Sequence, residues 1–153
     1  MQTKVFQLIV DNTSGVLSRI SGLFSRRGYN IDSITAGLSS DPRYTRITIV
    51  TSGDDEILEQ IEKQLRKLED VRSIMELEPE TSVYRELCMV KIAADVKQRN
   101  AVMNIVNIYR ANIVDVDKQS VVIEITGNQN KIEAFLDLLS DFKILELART
   151  GIA

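Results

Sequence analysis

Apolar and polar residues alternate over residues 3–10, where Val5, Phe6, Leu8, Ile9 and Val10 form a β-rich run that predicts a strand. The polar stretch Asp11-Asn12-Thr13-Ser14-Gly15 ends it. From about Gly15 to Arg27 the period changes to 3.6, with Val16, Leu17, Ile20, Leu23 and Phe24 on one stripe of an amphipathic helix. Ser14 or Asn12 is the expected N-cap and Gly28 the expected stop. An extended run over 30–39, a turn at Ser40-Asp41-Pro42-Arg43 and a β-branched run from Tyr44 to Thr51 predict a hairpin. Asp54-Asp55 open a second helix, in which Ile57, Ile61, Leu65 and Leu68 share a face. Glu59–Lys63 and Glu62–Arg66 are i,i+4 pairs on its solvated side. Val71 to Leu77 reads as a fourth strand.

This β-α-β-β-α-β order is that of a ferredoxin-like split βαβ unit. After the polar stretch Glu78-Pro79-Glu80-Thr81-Ser82 the order repeats. Glu86–Ala93 is a strand, and Lys97–Tyr109 a helix with Val102, Ile105, Val106 and Tyr109 inward. Ala111–Val116 and Ser120–Thr126 are strands, Asn130–Leu139 is a helix, and Phe142–Ala148 closes the unit. The expectation is an α+β chain of two tandem ferredoxin-like βαββαβ modules, 1–78 and 85–153, joined by a linker at 79–84. Modules of about 70 residues have marginal cores. Their open sheet faces and edges therefore call for cover, by pairing between chains or between modules.

Composition narrows the chemistry. The 153 residues are 44% apolar and 27% charged, as in a globular protein. The net charge of −3 argues against a nucleic-acid surface, which needs clustered Lys and Arg. Arg26-Arg27 sits at a helix end, where cations suit the dipole. With no His, a His triad, a His metal site and the usual neutral-pH base are excluded. Cys88 is the one cysteine and lies in the apolar run Leu87-Cys88-Met89-Val90, which points to a core thiol and a reducing compartment. Neither a secretory h-region nor an apolar run near the ~20 residues of a membrane span is present, so a cytoplasmic chain with no membrane partner is expected. Asp54-Asp55-Glu56 and Glu76-Leu77-Glu78 fall at a helix start and a strand end, where solvated charge is the default. No catalytic residue and no metal ligand set emerges.

One candidate remains. In Asp11-Asn12-Thr13-Ser14-Gly15 the glycine lets a ligand approach the backbone, and the N–H groups of residues 14–17 carry the positive end of the helix dipole. The Asn12 amide can donate to a carboxylate and accept from an ammonium. Asn30, opening the next strand, is a second such amide, and Val16, Leu17 and Ile31 would form a small apolar wall. The same residues also read as an ordinary helix cap, with Asn30 shaping a turn.

Asn12 through Arg19, followed by Gly22-Leu23-Phe24-Ser25-Arg26-Arg27-Gly28-Tyr29-Asn30-Ile31, resembles an ACT domain. More closely, the chain resembles the small regulatory subunits of acetolactate synthase (acetohydroxyacid synthase). The likeness continues through Asp41-Pro42, Leu58 to Leu65, Arg85-Glu86-Leu87, Asn112 to Val116 and Leu145 to Gly151. It implies a non-catalytic subunit that binds the catalytic subunit, activates it and confers feedback inhibition by a branched-chain amino acid, usually valine. It also implies a homodimer through the ACT domains. Asn12, Ser14, Gly15, Val16 and Leu17 of one chain, with Asn30 and Ile31 of the other, would surround the effector. Thiamine diphosphate, Mg²⁺ and FAD would belong to the catalytic partner, with no cofactor in this chain. The alternative is an ACT-type amino-acid sensor regulating a different enzyme or a transcription regulator. Val16 stands where the resemblance leads one to expect a smaller residue, which would set the room left for the effector. Relatives also typically continue with a short basic tail beyond Ala153.

Overall fold

A computed structural model describes all residues 1–153. The predicted alternation at the start becomes β1 (Gln2–Asp11), and the amphipathic stripe becomes α1 (Val16–Arg27). β2 (Asn30–Leu38), β3 (Tyr44–Gly53), α2 (Asp55–Arg66) and β4 (Val71–Leu77) complete the first βαββαβ unit. The second consists of β5 (Glu86–Ala93), α3 (Arg99–Ile108), β6 (Asn112–Val116), β7 (Ser120–Gly127), α4 (Gln129–Leu138) and β8 (Ile144–Arg149). Each unit has one four-stranded antiparallel sheet, in the order β2-β3-β1-β4 or β6-β7-β5-β8. The α+β reading of two ferredoxin-like modules is therefore what the chain adopts.

In the first unit Phe6, Leu8 and Val10 of β1 alternate toward the helices, together with Ile47 and Ile49 of β3 and Ile74 of β4. Against them pack Val16, Ile20, Leu23 and Phe24 of α1 and Leu58, Ile61 and Leu65 of α2. The apolar face of α2 thus centres on Leu58, while the expected Ile57 is only partly buried at its margin. Asp54 caps α2 by accepting from the Ile57 N–H at 2.9 Å, and both predicted i,i+4 pairs form, Lys63–Glu59 at 3.0 Å and Arg66–Glu62 at 2.9 Å. In the second unit Cys88, Val90 and Ile92 share a core with Val121, Ile123, Ile125, Val102, Val106, Ile132 and Phe135. Tyr109 meets Phe135 edge-on, with ring centroids 5.6 Å apart. Burial in this core raises the Cys88 pKa, as befits an inert thiol.

The chain divides into two compact units, Met1–Val83 together with Gly151–Ala153, and Tyr84–Thr150. The last three residues, assigned from sequence to the C-terminal module, thus belong with the first unit. Gly151 has φ 86 and lies so close to Ser33 and Thr35 that an added Cβ would sit 2.9 Å from the Ser33 Cβ. Ser33 and Thr35 face Val50 and Thr48 across the β2–β3 ladder. Val5, Thr48, Val50 and Ile152 are all buried. Part of the open sheet face is covered by the chain's own end.

Removing the α2 cap tests this local account. Asp54→Ala should lower stability by about 1 kcal/mol, the usual worth of an N-cap, read as a lower urea midpoint at unchanged slope.

Candidate functional site

The expected side-chain cap on α1 is not formed. The helix begins at Val16 with Gly15 as its N-cap, in the left-handed region at φ 86 and ψ −5, and no side chain caps it. Neither Ser14 nor Asn12 therefore caps the helix as expected. The orphan N–H groups of the first turn of α1 therefore have no side-chain partner. The stop at Gly28 is as expected, with a left-handed cap whose N–H reaches the Phe24 and Ser25 carbonyls.

Instead, the loop is pinned from both flanks. Asp11 donates its N–H to the Asp70 carbonyl at 3.0 Å, and its carboxylate receives Arg72 Nε at 2.7 Å and Nη2 at 2.9 Å. Asn12 donates its N–H to the Arg43 carbonyl at 2.9 Å. Its side-chain Nδ2 donates to the Pro42 carbonyl at 3.1 Å, and its Oδ1 accepts from Thr45 Oγ1 at 3.2 Å. The amide is oriented by these two bonds and keeps one free N–H and one free lone pair. Arg19 folds back over Gly15. Its Nε donates to Asp70 Oδ2 at 2.5 Å, and its Nη1 stands 2.9 Å from where a Gly15 Cβ would be. The signal for it was faint, since the Asp70 partner lies 51 residues away.

The apolar wall needs correction. Val16 is only 4% exposed and belongs to the first core, because the first turn of α1 directs it onto the sheet. It brings its N–H to the helix start, and its side chain does not set the room beside the loop. Leu17 is 49% exposed and open to a partner. Ile31 packs partly against the core.

Asn30 lies elsewhere. It opens β2 and pairs with Ser52, whereas Asn12 is held by Thr45 near the other end of β3. Extended strand rises about 3.3 Å per residue, so the two amides of one chain lie roughly 20 Å apart along the sheet. A single copy gathers Asn12, Ser14, Gly15 and Leu17 at one end and Asn30 and Ile31 at the other. β2 is also an edge strand, bonded to β3 alone.

The acidic runs serve structure. Asp54 is the α2 cap and Glu76 receives Lys4 at 3.3 Å. No group of three or more His, Cys, Asp or Glu is placed to hold a metal. No helix is long and apolar enough to cross a membrane. In the second unit Arg149 bridges Glu86 and Glu133, both at 2.7 Å, and ties β8 to β5 and α4.

The βαββαβ unit with its four-stranded sheet in the order β2-β3-β1-β4 has the architecture of an ACT-type module. Comparison with known proteins agrees. Residues 6–73 match the model of an acetohydroxyacid synthase small subunit-like ACT domain, and residues 85–153 the model described as the small subunit of acetolactate synthase. The chain is 49% identical over 150 residues to a probable acetolactate synthase small subunit of Methanothermobacter thermautotrophicus, covering 97% of this chain and 89% of that one. It is 43% identical over 150 residues to the acetolactate synthase isozyme 3 small subunit of Escherichia coli, covering 97% and 92%. The crystal structure of the acetolactate synthase small subunit from Thermotoga maritima superposes with a TM-score of 0.91 at 39% identity, covering 100% of this chain and 96% of that one. The chain belongs to the acetolactate synthase small-subunit family.

Two outcomes test the pinned loop. Gly15→Ala forces an L residue into the left-handed region and displaces the Arg19 guanidinium; a loss of about 1 kcal/mol is expected in urea unfolding. The Arg72 guanidinium, chiefly through its hydrogen bonds, holds the Asp11 carboxyl below its ordinary 3.8. A depressed carboxyl contributes stability that is present above its unfolded pKa and is lost as pH falls through the lower folded value. Arg72→Gln should therefore lower the urea midpoint at neutral pH, with the gap to wild type closing below about pH 4. An unchanged gap at the lowest pH where both remain folded would overturn this.

Proposed function

We propose that this chain is the non-catalytic regulatory subunit of an acetolactate synthase. It binds a thiamine-diphosphate-dependent catalytic subunit, raises its activity and makes it sensitive to a branched-chain amino acid, valine first. The single observation that carries this reading is family membership across both modules, residues 6–73 and 85–153.

The site geometry supports an amino-acid effector shared by two copies. The open N–H groups of α1 and the free Asn12 N–H are donors suited to a carboxylate. Asn30 and Ile31 are too distant in the same chain to meet that ligand, and the β2 edge has unpaired backbone groups to offer a second copy. A two-fold pairing there gives two equal sites, each with a helix start from one copy and a β2 edge from its partner. A ligand held by both copies favours whichever dimer arrangement closes on it, which is the differential affinity that regulation requires.

The test is acetolactate formation by the catalytic partner alone, with this chain, and with this chain plus valine. Activity should rise with the chain and fall as valine is added. No change on adding the chain would refute the subunit reading. Asn12→Ala should raise the half-inhibiting valine concentration roughly tenfold, the loss of one hydrogen bond to a charged group, while leaving activation intact.

A further inference from the structure

Asp32 occupies an irregularity in the second strand. Ile31 pairs with Thr51 and Ser33 with Val50, so Asp32 has no partner across the β2–β3 ladder. Such bulges re-aim side chains. Here the carboxylate turns back along its own strand and collects two donors. Its Oδ1 accepts from Asn30 Nδ2 at 2.5 Å, and its Oδ2 accepts from the Ser52 hydroxyl. Thr3 Oγ1 lies 3.0 Å from Ser52 Oγ. With the Ser52 proton given to Asp32, Thr3 donates to Ser52, so the hydrogen bonds run from Thr3 through Ser52 to Asp32. The Asn30 backbone is held as well, its carbonyl accepting from Thr51 Oγ1 at 2.6 Å.

A carboxylate only accepts hydrogen bonds, so the side of the Asn30 amide facing Asp32 must be its NH2. Its Oδ1 then faces the other way and has no partner within the chain. We propose that Asp32 is a positioning residue that locks the Asn30 amide with its oxygen outward, so that the β2 edge selects an α-ammonium group. This rests on the amino-acid effector reading above. The start of α1 offers donors, which suit a carboxylate; the β2 edge offers an acceptor backed by a negative charge, which suits the ammonium. A 2-oxo acid with the same side chain keeps the carboxylate and lacks the ammonium, so the arrangement discriminates an amino acid from its own 2-oxo acid.

The experiment uses the full chain with two probes, L-valine and 3-methyl-2-oxobutanoate, and two variants, Asp32→Asn and Asp32→Glu. Ligand-free spectra of the Asn30 side-chain amide should show one downfield, slowly exchanging proton in wild type. That signature should persist in Asp32→Glu, which keeps a carboxylate, and disappear in Asp32→Asn. In calorimetry Asp32→Asn should lose about tenfold in valine affinity with little change for the oxo acid, narrowing the ratio between them, and Asp32→Glu should restore most of it. A merely loosened strand weakens both ligands together and leaves the ratio unchanged; that result, or unaltered Asn30 resonances in Asp32→Asn, overturns the proposal. Wild-type protein that binds neither probe would sink the effector reading and the selectivity with it, while the amide resonances would still decide whether Asp32 sets the orientation.

Discussion

The two-sided pairing of β1 governs the first unit. β1 runs beside β3 from Gln2 opposite Gly53 to Asp11 opposite Tyr44, and beside β4 from Val5 opposite Leu77 to Val10 opposite Val71. Both ladders end together, so the chain leaves β1 between the turn before β3 and the turn before β4. Pro42 and Arg43 in the first turn, Asp70 in the second and Arg72 at the start of β4 are the groups that hold Asp11 and Asn12. Slipping β1 by one residue would turn Phe6, Leu8 and Val10 out of the core. At about 1.5–3 kcal/mol for each large apolar side chain, that register is not negotiable. Hydrophobic burial in the middle of the strand thereby fixes the polar loop at its end.

Around that loop every cation the ion pairs involve is matched by an acid: Arg72 with Asp11, Arg19 with Asp70, Arg43 with Asp41. Exposed pairs of this kind add little to global stability. Their effect is to order the loop and to keep the arginines from presenting a free positive charge beside it. The field an incoming anion meets is then mainly that of the α1 start, whose N–H groups no side chain has claimed.

Element order was legible because each element announces itself locally. Val71–Leu77 and Glu86–Ala93 stand at the boundaries that alternation alone indicates, and Gly28 ends α1 where the period fails. The features missed are those that two segments create together. Asn12 looks like a cap by residue type, yet its amide is oriented by Pro42 and Thr45, thirty and thirty-three positions along the chain. Val16 looked like a site wall because it follows the loop; the direction of the first helical turn sends it into the core instead. The irregularity at Asp32 is a property of β2 against β3, and no single strand reveals it. Gly151 shows nothing in sequence of its contact with Ser33 and Thr35 in β2.

These placements fix the direction of both amides. Asn12, after its two internal bonds, retains one free N–H and one lone pair next to the open helix start; Asn30, with one N–H held by Asp32, retains its oxygen and its second N–H. Had both amides been free to rotate, either could serve either end of a zwitterion, and binding would have to fix both at an entropic cost. Here the internal bonds fix them before any ligand arrives, which is preorganisation in its plain sense. The cost is that one chain holds only half of each polarity where it is needed, with the donor end and the acceptor end at opposite ends of the same sheet. The proposed two-fold pairing would repair this without any new residue, because antiparallel apposition of two identical β2 edges would bring the donor end of each copy toward the acceptor end of the other. The same separation that leaves the single module incomplete is what would make ligand binding report on the state of the pair.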